Sequence, residues 1–273
     1  MPKAKPTTVS NITEFKQTNS EITKNKYNVG DLIPFEPTEK QQQFVKAFDK
    51  GIRIISQTGS TGTGKTYSAI YAALKAVFEQ SEYQRVVIIR SAVETRSIGF
   101  LPGSDAEKMS AYERPYRDTV EEILNCKEKG HYDNLKSKGY IEYMGTSFVR
   151  GISLPNSIII IDEIQNQDME ELWSCMTRLS KNSRVILCGD IKQDDLKRKR
   201  EKSGFGEIME IMKIMAEMFN DTDVPTLPDF RNIEYTSADI TRDELVKRLI
   251  MAREEYEERQ KQKVLISESD TDS

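Results

Sequence analysis

The feature that most constrains the fold of this chain is a glycine-rich stretch between two elements of different periodicity. Residues Ser56–Ile70 read SQTGSTGTGKTYSAI and contain the pattern G-x-x-x-x-G-K-[ST]. The preceding GIRIIS predicts a short buried strand, and the following TYSAIYAALKAVFEQ repeats small apolar residues at helical spacing. A strand, a glycine loop and a helix in this order predict an α/β fold built around a phosphate-binding loop.

We expect this loop to hold the phosphates of a nucleotide. Glycines permit the backbone angles and the close approach that turn N–H groups towards phosphate oxygens. Lys65 is expected to reach the β- and γ-phosphates, and Thr66 to bind Mg²⁺. The predicted binding residues are Gly59, Ser60, Thr61, Gly62, Thr63, Gly64, Lys65 and Thr66. The alternative, a chance match in a glycine-rich turn, is disfavoured by the flanking strand and helix.

Other apolar runs complete the pattern of a sheet. RVVIIR (Arg85–Arg90), IIIID ending at Asp162 and SRVILCGD (Ser183–Asp190) are nearly continuous apolar runs, as in strands buried on both faces of a parallel sheet. GYIEYMG and RNIEYT are further candidate strands. The sequence therefore predicts a single-domain, three-layer α/β fold with a mostly parallel sheet.

Helices are predicted between and after these strands. One begins near Pro37 and Thr38, another covers about 205–219, and the segment 97–137 predicts helices and an insertion. The last helix is expected to open with a capping box at Thr241-x-x-Glu244.

Two acids follow the most apolar strand. Asp162 is expected to orient Mg²⁺ beside the phosphate loop, and Glu163 to act as the base that activates the attacking water. The alternative for Glu163 is that it caps the following helix, because acids are common at helix starts.

Two glutamines are candidates for nucleotide contacts. Gln193, in CGDIKQ, could contact the γ-phosphate and the attacking water, and the alternative is an ordinary polar loop. Gln41 lies upstream of the first strand and could read the adenine edge with its amide. The alternative for Gln41 is a solvated side chain.

Arginines complete the candidate set. A guanidinium at the γ-phosphate accelerates hydrolysis, and Arg178 and Arg242 are the candidates for this role, in the same subunit or in a neighbour. Arg90 and Arg150 are interpreted as nucleic-acid or structural contacts. For each arginine the alternative is a charge on a solvated helix face.

Several protein classes are excluded or disfavoured by what the chain contains. No N/T-K-x-D guanine reader and no L-S-G-G-Q signature follows the loop, which argues against a GTPase and an ABC ATPase. The three cysteines form no C-x-x-C pair and there is one histidine, which argues against structural zinc and fits a reducing cytoplasm. No apolar run is long enough to span a membrane, so no membrane partner is expected.

Several linked stretches resemble the PhoH-like ATPase family, whose core is similar to that of superfamily 1 helicases. They are GSTGTGKTYSA, RSAVETRSIGFLPGSDAEKMSAYERPYRD, GTSFVRGISL, IIIDEIQN, TRLSKNSRVILCGDIKQDDL and SADITRDELVKRL. The resemblance implies one RecA-like ATPase domain, which we place over 31–262. The composition of the two ends predicts a disordered basic tail (1–30) and a disordered acidic tail (263–273). The resemblance implies ATP and Mg²⁺ as cofactors and assembly into a homo-oligomer, expected as a hexameric ring.

The resemblance also directs the functional expectation. It implies ATP hydrolysis coupled to translocation on, or remodelling of, RNA or single-stranded DNA. The alternative is a non-catalytic scaffold controlled by ATP during phage infection. The sequence divergence and the tails suggest a bacteriophage member, which would place the protein in the host cytoplasm.

Three departures from the family pattern stand out. Ser91 follows Arg90 where the family has proline, and Ser60 opens the loop where the family has proline or an aromatic residue. Ile152 replaces an arginine of an R-G-R motif, and the lost charge weakens a nucleic-acid contact there.

A basic run is the remaining candidate surface for nucleic acid. The net charge of −4 gives no overall attraction, so binding would need a local patch. The run comprises Lys192, Lys197, Arg198, Lys199, Arg200 and Lys202. The alternative is a solubilising linker, because Asp194, Asp195 and Glu201 interrupt it.

Overall fold

A computed structural model describes residues 27–79, 82–91, 105–124, 130–190, 204–219 and 229–271. The strands are β1 (Ile54–Gly59), β2 (Arg85–Arg90), β3 (Ile141–Gly145), β4 (Ser157–Asp162), β5 (Arg184–Gly189) and β6 (Phe230–Tyr235). The helices are α1 (Glu39–Asp49), α2 (Lys65–Phe78), α3 (Asp105–Leu124), α4 (His131–Ser137), α5 (Met169–Met176), α6 (Phe205–Phe219) and α7 (Glu244–Thr271). Every strand that the sequence predicted is present.

The six strands form one sheet in the order β3-β2-β4-β5-β1-β6, and all neighbours are parallel. The side chains of β4 alternate between the two faces. Ile158 and Ile160 join the core under α1 to α4, whereas Ile159 and Ile161 join the core under α5 and α6. Helices therefore cover both faces, and the predicted three-layer α/β fold is confirmed.

The order of the strands positions the candidate site. All six strands end at the same edge, and β5 lies between β1, which leads into the glycine loop, and β4, which leads into the two acids. In open parallel sheets, ligands bind at the carboxyl edge where the strand order reverses. The loop, the acids and the end of β5 therefore meet at one crevice.

Arg184, a buried residue at the start of β5, bonds helix α1 to the sheet. The Arg184 guanidinium lies 3.9 Å from the centre of the Phe48 ring and donates hydrogen bonds to the carbonyl oxygens of Phe48 and Ile52. Burial lowers the pKa of Arg184, and the neighbouring Tyr83 and Asp49 oppose this shift. These bonds fix α1, which carries Gln41, against the strands that carry the loop.

The described structure reaches beyond both domain limits that the sequence suggested, with packed side chains at the N-terminal end and a continued helix at the C-terminal end. Tyr27 is 3% exposed, stacks on Phe78 and shares a hydrogen bond of 2.9 Å with His131, so the chain is packed from Tyr27 rather than from residue 31. Residues 1–26 lie outside the described residues. At the other end, α7 continues to Thr271, through the segment expected to be disordered, because its helical pattern is not interrupted by proline or glycine.

The start of α7 differs from the expected capping box. The Asp243 carboxylate accepts a hydrogen bond from the Leu245 N–H at 2.9 Å, and the helix begins at Glu244. Thr241 donates instead, through its N–H and its hydroxyl, to the carbonyl oxygen of Gly62 at 3.0 and 3.2 Å. The prediction of Thr241 as the cap was wrong, because Thr241 is hydrogen-bonded to the phosphate loop instead of to the start of α7.

No helix in the described parts of the chain combines the length and the apolar composition that a membrane span needs.

Phe44 should contribute strongly to stability, because it is fully buried in the core under α1 and α2. We expect Phe44→Ala to lower the free energy of unfolding by about 3–5 kcal/mol through lost burial and the cavity left behind. Urea denaturation measures this. Phe219→Ala is the matched control, since Phe219 is 60% exposed, and it should change stability by less than about 0.5 kcal/mol. Equal losses in the two variants would contradict the assignment of the core.

Candidate nucleotide-binding site

A cavity of about 780 Å³ opens at the carboxyl edge of the sheet. Its floor is the loop between β1 and α2, one wall is α3, and the opposite wall is formed by α1 and the segment after β6. The cavity is within the size range of small-molecule sites.

The loop adopts a conformation that only glycine allows easily. Gly59, Gly62 and Gly64 have φ of 120°, 76° and 74°. A Cβ atom at Gly59 would lie 1.8 Å from the carbonyl oxygen of Tyr235, and one at Gly64 would lie 2.5 Å from Nε2 of Gln41. The glycines therefore serve both the left-handed backbone and the close packing of β6 and α1 against the loop.

Lys65 lies inside the curve of the loop. Its Nζ donates hydrogen bonds to the carbonyl oxygens of Gly59 and Ser60 at 2.8 and 2.7 Å, and to the Thr63 hydroxyl at 3.3 Å. Burial lowers the pKa of Lys65, and the nearby charge of Asp190 partly offsets this. An ammonium bonded to carbonyls of the loop itself is ready to exchange them for phosphate oxygens.

Thr66 and Asp162 meet as expected for a metal site. The Thr66 hydroxyl lies 3.1 and 3.2 Å from the two carboxylate oxygens of Asp162 and donates to them. Asp162 is 6% exposed and ends β4. A further donor, the Tyr116 hydroxyl on α3, reaches Oδ2 of Asp162 at 2.9 Å.

Glu163 is held in an unusual conformation next to Asp162. Its φ is 54°, in the left-handed region that non-glycine residues rarely occupy, and such strain concentrates at functional sites. Its side chain makes no helix-capping hydrogen bond, and Asp168 caps α5 instead. The capping alternative is therefore not supported.

Gln165 connects Glu163 to the end of β5. Its Nε2 donates to Oε2 of Glu163 at 2.5 Å, and its Oε1 accepts from the Asp190 N–H at 3.0 Å. A Cβ atom at Gly189 would lie 3.0 Å from Oε1 of Gln165, so glycine makes room for this bridge. The bridge fixes the Glu163 carboxylate relative to both strands.

The environment of Glu163 favours its protonated form more than water does. Burial raises the pKa of Glu163, and the adjacent Asp162 raises it further, while Arg90, Gln165 and Lys65 oppose the shift. A carboxylate with a raised pKa is a stronger base once ionised, which suits removal of a proton from water.

Arg90 belongs to the site, which sequence reasoning did not predict. It ends β2, pairs in register with Asp162 and lines the cavity, with its guanidinium 5.4 Å from the centre of the Tyr112 ring. Burial opposes its charge, but Tyr116, Glu163 and Asp162 outweigh burial and raise the pKa of Arg90. The sequence could have indicated this, because Arg90 ends a predicted strand of the parallel sheet, as Asp162 does.

Gln41 is buried rather than solvated. It is 4% exposed, its Oε1 accepts from the Thr38 N–H at 2.9 Å, and its Nε2 donates to the carbonyl oxygen of Thr63 at 2.9 Å. The solvated alternative was therefore wrong, and Gln41 connects the start of α1 to the phosphate loop. It also borders the cavity, and reading of adenine stays a prediction.

The remaining candidate site residues lie at different places relative to the cavity. Arg242 lines the cavity beside Gly62, and its role stays a prediction. Arg178 follows α5 and is not among the described residues that line the cavity, and its role stays a prediction. Gln193 and the basic run from Lys192 to Lys202 lie outside the described residues.

The C-terminal helix also contacts the loop. The Ser60 hydroxyl donates to the Glu254 carboxylate on α7 at 2.7 Å. This contact was not predicted, since nothing in the sequence indicates that residues 194 positions apart would meet.

The residues present fit Mg²⁺ and a nucleotide. A hydroxyl and a carboxylate are hard oxygen ligands, and Mg²⁺ is commonly held by one or two carboxylates together with phosphates and water. The described residues contain no cluster of three His, Cys, Asp or Glu side chains that could hold a metal without such help. The N-terminus of α2 and the glycine loop supply the N–H groups that bind phosphates.

Comparison with known proteins agrees with this geometry. Residues 36–257 match the family described as PhoH-like protein. The chain belongs to the PhoH-like family. The family resemblance drawn from the linked motifs is thereby confirmed.

Curated relatives are longer than this chain. The PhoH-like protein of Mycobacterium tuberculosis (strain ATCC 25618 / H37Rv) is 32% identical over 222 residues, which are 81% of this chain and 58% of that protein. The PhoH-like protein of Bacillus subtilis (strain 168) is 31% identical over 233 residues, which are 85% of this chain and 66% of that protein. The chain thus spans less than two thirds of each relative. The expected bacteriophage source stays a prediction.

Among solved structures, the large terminase of a thermophilic bacteriophage is similar, with a TM-score of 0.45 and 12% identity over 78% of this chain and 49% of that chain.

Glu163 should make stability depend on pH. Because its pKa is raised in the folded state, the ionised side chain costs the folded state free energy at pH values above that pKa. We expect Glu163→Gln to raise the melting temperature at pH 8, and this gain to disappear as the pH falls through the pKa of Glu163 towards its ordinary range. Thermal denaturation at several pH values measures it.

Glu210→Gln is the control, since Glu210 is exposed on α6 and its substitution should change the melting temperature at pH 8 by much less. A gain that persists unchanged at low pH would contradict the electrostatic explanation.

Proposed function

We propose that this PhoH-like protein binds Mg·ATP and hydrolyses it by attack of water on the γ-phosphate. The observation that carries the proposal is the convergence, in one cavity, of the phosphate loop, the Thr66–Asp162 pair and the strained Glu163. Nucleotide-dependent chemistry needs each of these parts, and they come from different strands.

Each residue has a defined task in this proposal. Lys65 and the loop N–H groups hold the β- and γ-phosphates, and Thr66 and Asp162 hold the metal. When bound, Mg²⁺ neutralises negative charge on the phosphate oxygens. Glu163, oriented by Gln165, takes a proton from the attacking water. Arg90 and Arg242 are the described arginines that line the cavity, and we assign to them the task of offsetting charge that develops on the γ-phosphate.

The proposed use of the energy of ATP hydrolysis is to move along or remodel a nucleic acid. We propose coupling to RNA or single-stranded DNA, with the basic run as the candidate contact. Arg150 is exposed, and the position two residues later is Ile152 rather than a second arginine, so Arg150 offers little positive surface on its own.

Self-association is part of the proposal, and α7 supports it. Leu245, Leu249 and Tyr256 recur at helical spacing and are 65%, 62% and 62% exposed. The opposite face of α7 contacts the domain, through Lys247 to the carbonyl oxygen of Ala238 and through Glu254 to Ser60. Since the polar face points inward, the apolar face is available to a second copy, in which Arg178 or Arg242 could complete a neighbouring site.

Two variants should distinguish residues needed for ATP turnover from residues needed for ATP binding. We expect Glu163→Gln to keep its affinity for ATP but to lose turnover by about 100-fold or more, because a positioned base is removed. Lys65→Ala should lose binding itself, because the cation that faces the phosphates is gone. Phosphate release and fluorescent-nucleotide binding, each with and without RNA or single-stranded DNA, measure both.

Turnover of Glu163→Gln equal to that of the parent would show that the base is misassigned. Tight ATP binding by the parent without any turnover, with or without nucleic acid, would instead support the ATP-controlled scaffold.

Oligomers should depend on the exposed face of α7. We expect light scattering to give a multiple of the 31.3 kDa chain mass for the parent, and Leu249→Glu to reduce it, because a charge enters the apolar contact. Met218→Glu is the control, since Met218 is 66% exposed but lies on α6. A parent that stays monomeric at all concentrations with full ATPase activity would overturn the proposal of self-association.

A further inference from the structure

The Asp162 carboxylate is held from two sides by different elements. Thr66, on α2, donates to both oxygens at nearly equal distances of 3.1 and 3.2 Å. Tyr116, on α3, donates to Oδ2 alone at 2.9 Å. Thr66 therefore does not distinguish the two oxygens, whereas Tyr116 does.

The Tyr116 hydroxyl has a fixed position. Tyr116 is 2% exposed, and its ring packs against Tyr143 with 5.5 Å between the ring centres. Buried hydroxyls need a hydrogen-bond partner, and Asp162, itself 6% exposed, is that partner. Neither side chain can turn away without leaving a buried polar group unsatisfied.

A carboxylate that must bind a metal benefits from one fixed orientation. Outer groups that hydrogen-bond to a metal ligand set its orientation, and their removal commonly weakens metal binding by about 10- to 100-fold. At Asp162, the bond from Tyr116 engages Oδ2, whereas among the described residues Oδ1 accepts the shared bond from Thr66 alone.

We propose that Tyr116 is a positioning residue for Mg²⁺, which fixes the Asp162 carboxylate so that Oδ1 is the oxygen directed to the metal. This rests on the proposed function, because it assumes that Asp162 holds Mg²⁺ beside a bound nucleotide.

The same contact connects the metal site to the wall of the cavity. Pro115 and Thr119 line the cavity from α3, on either side of Tyr116 in the sequence. The helix that forms a wall of the cavity is thus hydrogen-bonded to the residue proposed to hold the metal.

The test measures binding rather than turnover. A fluorescent, non-hydrolysable ATP analogue is titrated into the full chain in EDTA and then at increasing Mg²⁺. For Tyr116→Phe we expect unchanged affinity in EDTA, and a Mg²⁺ concentration for half-maximal tightening that is raised about 10-fold. A role in packing alone would leave this Mg²⁺ midpoint unchanged.

Two further variants complete the design. Tyr116→Met fills much of the buried space without a donor, and we expect it to shift the midpoint as Tyr116→Phe does. Tyr143→Phe is the matched control, because it removes a hydroxyl from the ring that contacts Tyr116, and its midpoint should equal that of the parent.

The failure of each proposal gives a different result. A parent that binds no analogue, or binds it without any effect of Mg²⁺, would contradict the proposed function. A parent tightened by Mg²⁺, with the same midpoint in Tyr116→Phe, would overturn the role of Tyr116. A shift in Tyr116→Met alone would also overturn it, since it would arise from lost ring packing.

Discussion

The parallel placement of β5 between β1 and β4 is the constraint on which the site depends. Parallel pairing brings the ends of all three strands to one edge, and β5 separates the phosphate loop from the acids by one strand. At that separation the Thr66 hydroxyl meets the Asp162 carboxylate, and Gln165 reaches from the acids to the backbone of Asp190.

Charge at this edge is dense and is balanced by contacts from several elements. Asp162, Glu163 and Asp190 lie near Lys65 and Arg90, and burial would penalise each of them alone. Their mutual attraction explains why the pKa of Arg90 is raised in spite of burial. Burial and the adjacent Asp162 raise the pKa of Glu163, so the site disfavours the ionised form of this acid.

The loop is held by contacts that its own motif does not contain. Gln41 bonds the carbonyl oxygen of Thr63, Thr241 bonds that of Gly62, and Glu254 accepts from Ser60. These partners come from before the first strand and after the last one. The contact with Glu254 depends on the hydroxyl of Ser60, which is the donor.

The sequence by itself determined the parallel α/β fold, the phosphate loop, and Asp162 and Glu163 as the acids that follow β4. These follow from local patterns: continuous apolar runs, glycines at fixed spacing, and acids directly after a strand. It could not choose between base and cap for Glu163, or between reader and solvated side chain for Gln41, because their partners are distant in sequence. Only the tertiary structure shows that Arg90 and Tyr116 lie beside Asp162 and that Arg178 is not among the described residues lining the cavity. The physical reason is that a hydrogen bond or an ion pair depends on separation in space, which sheet order and helix packing decide.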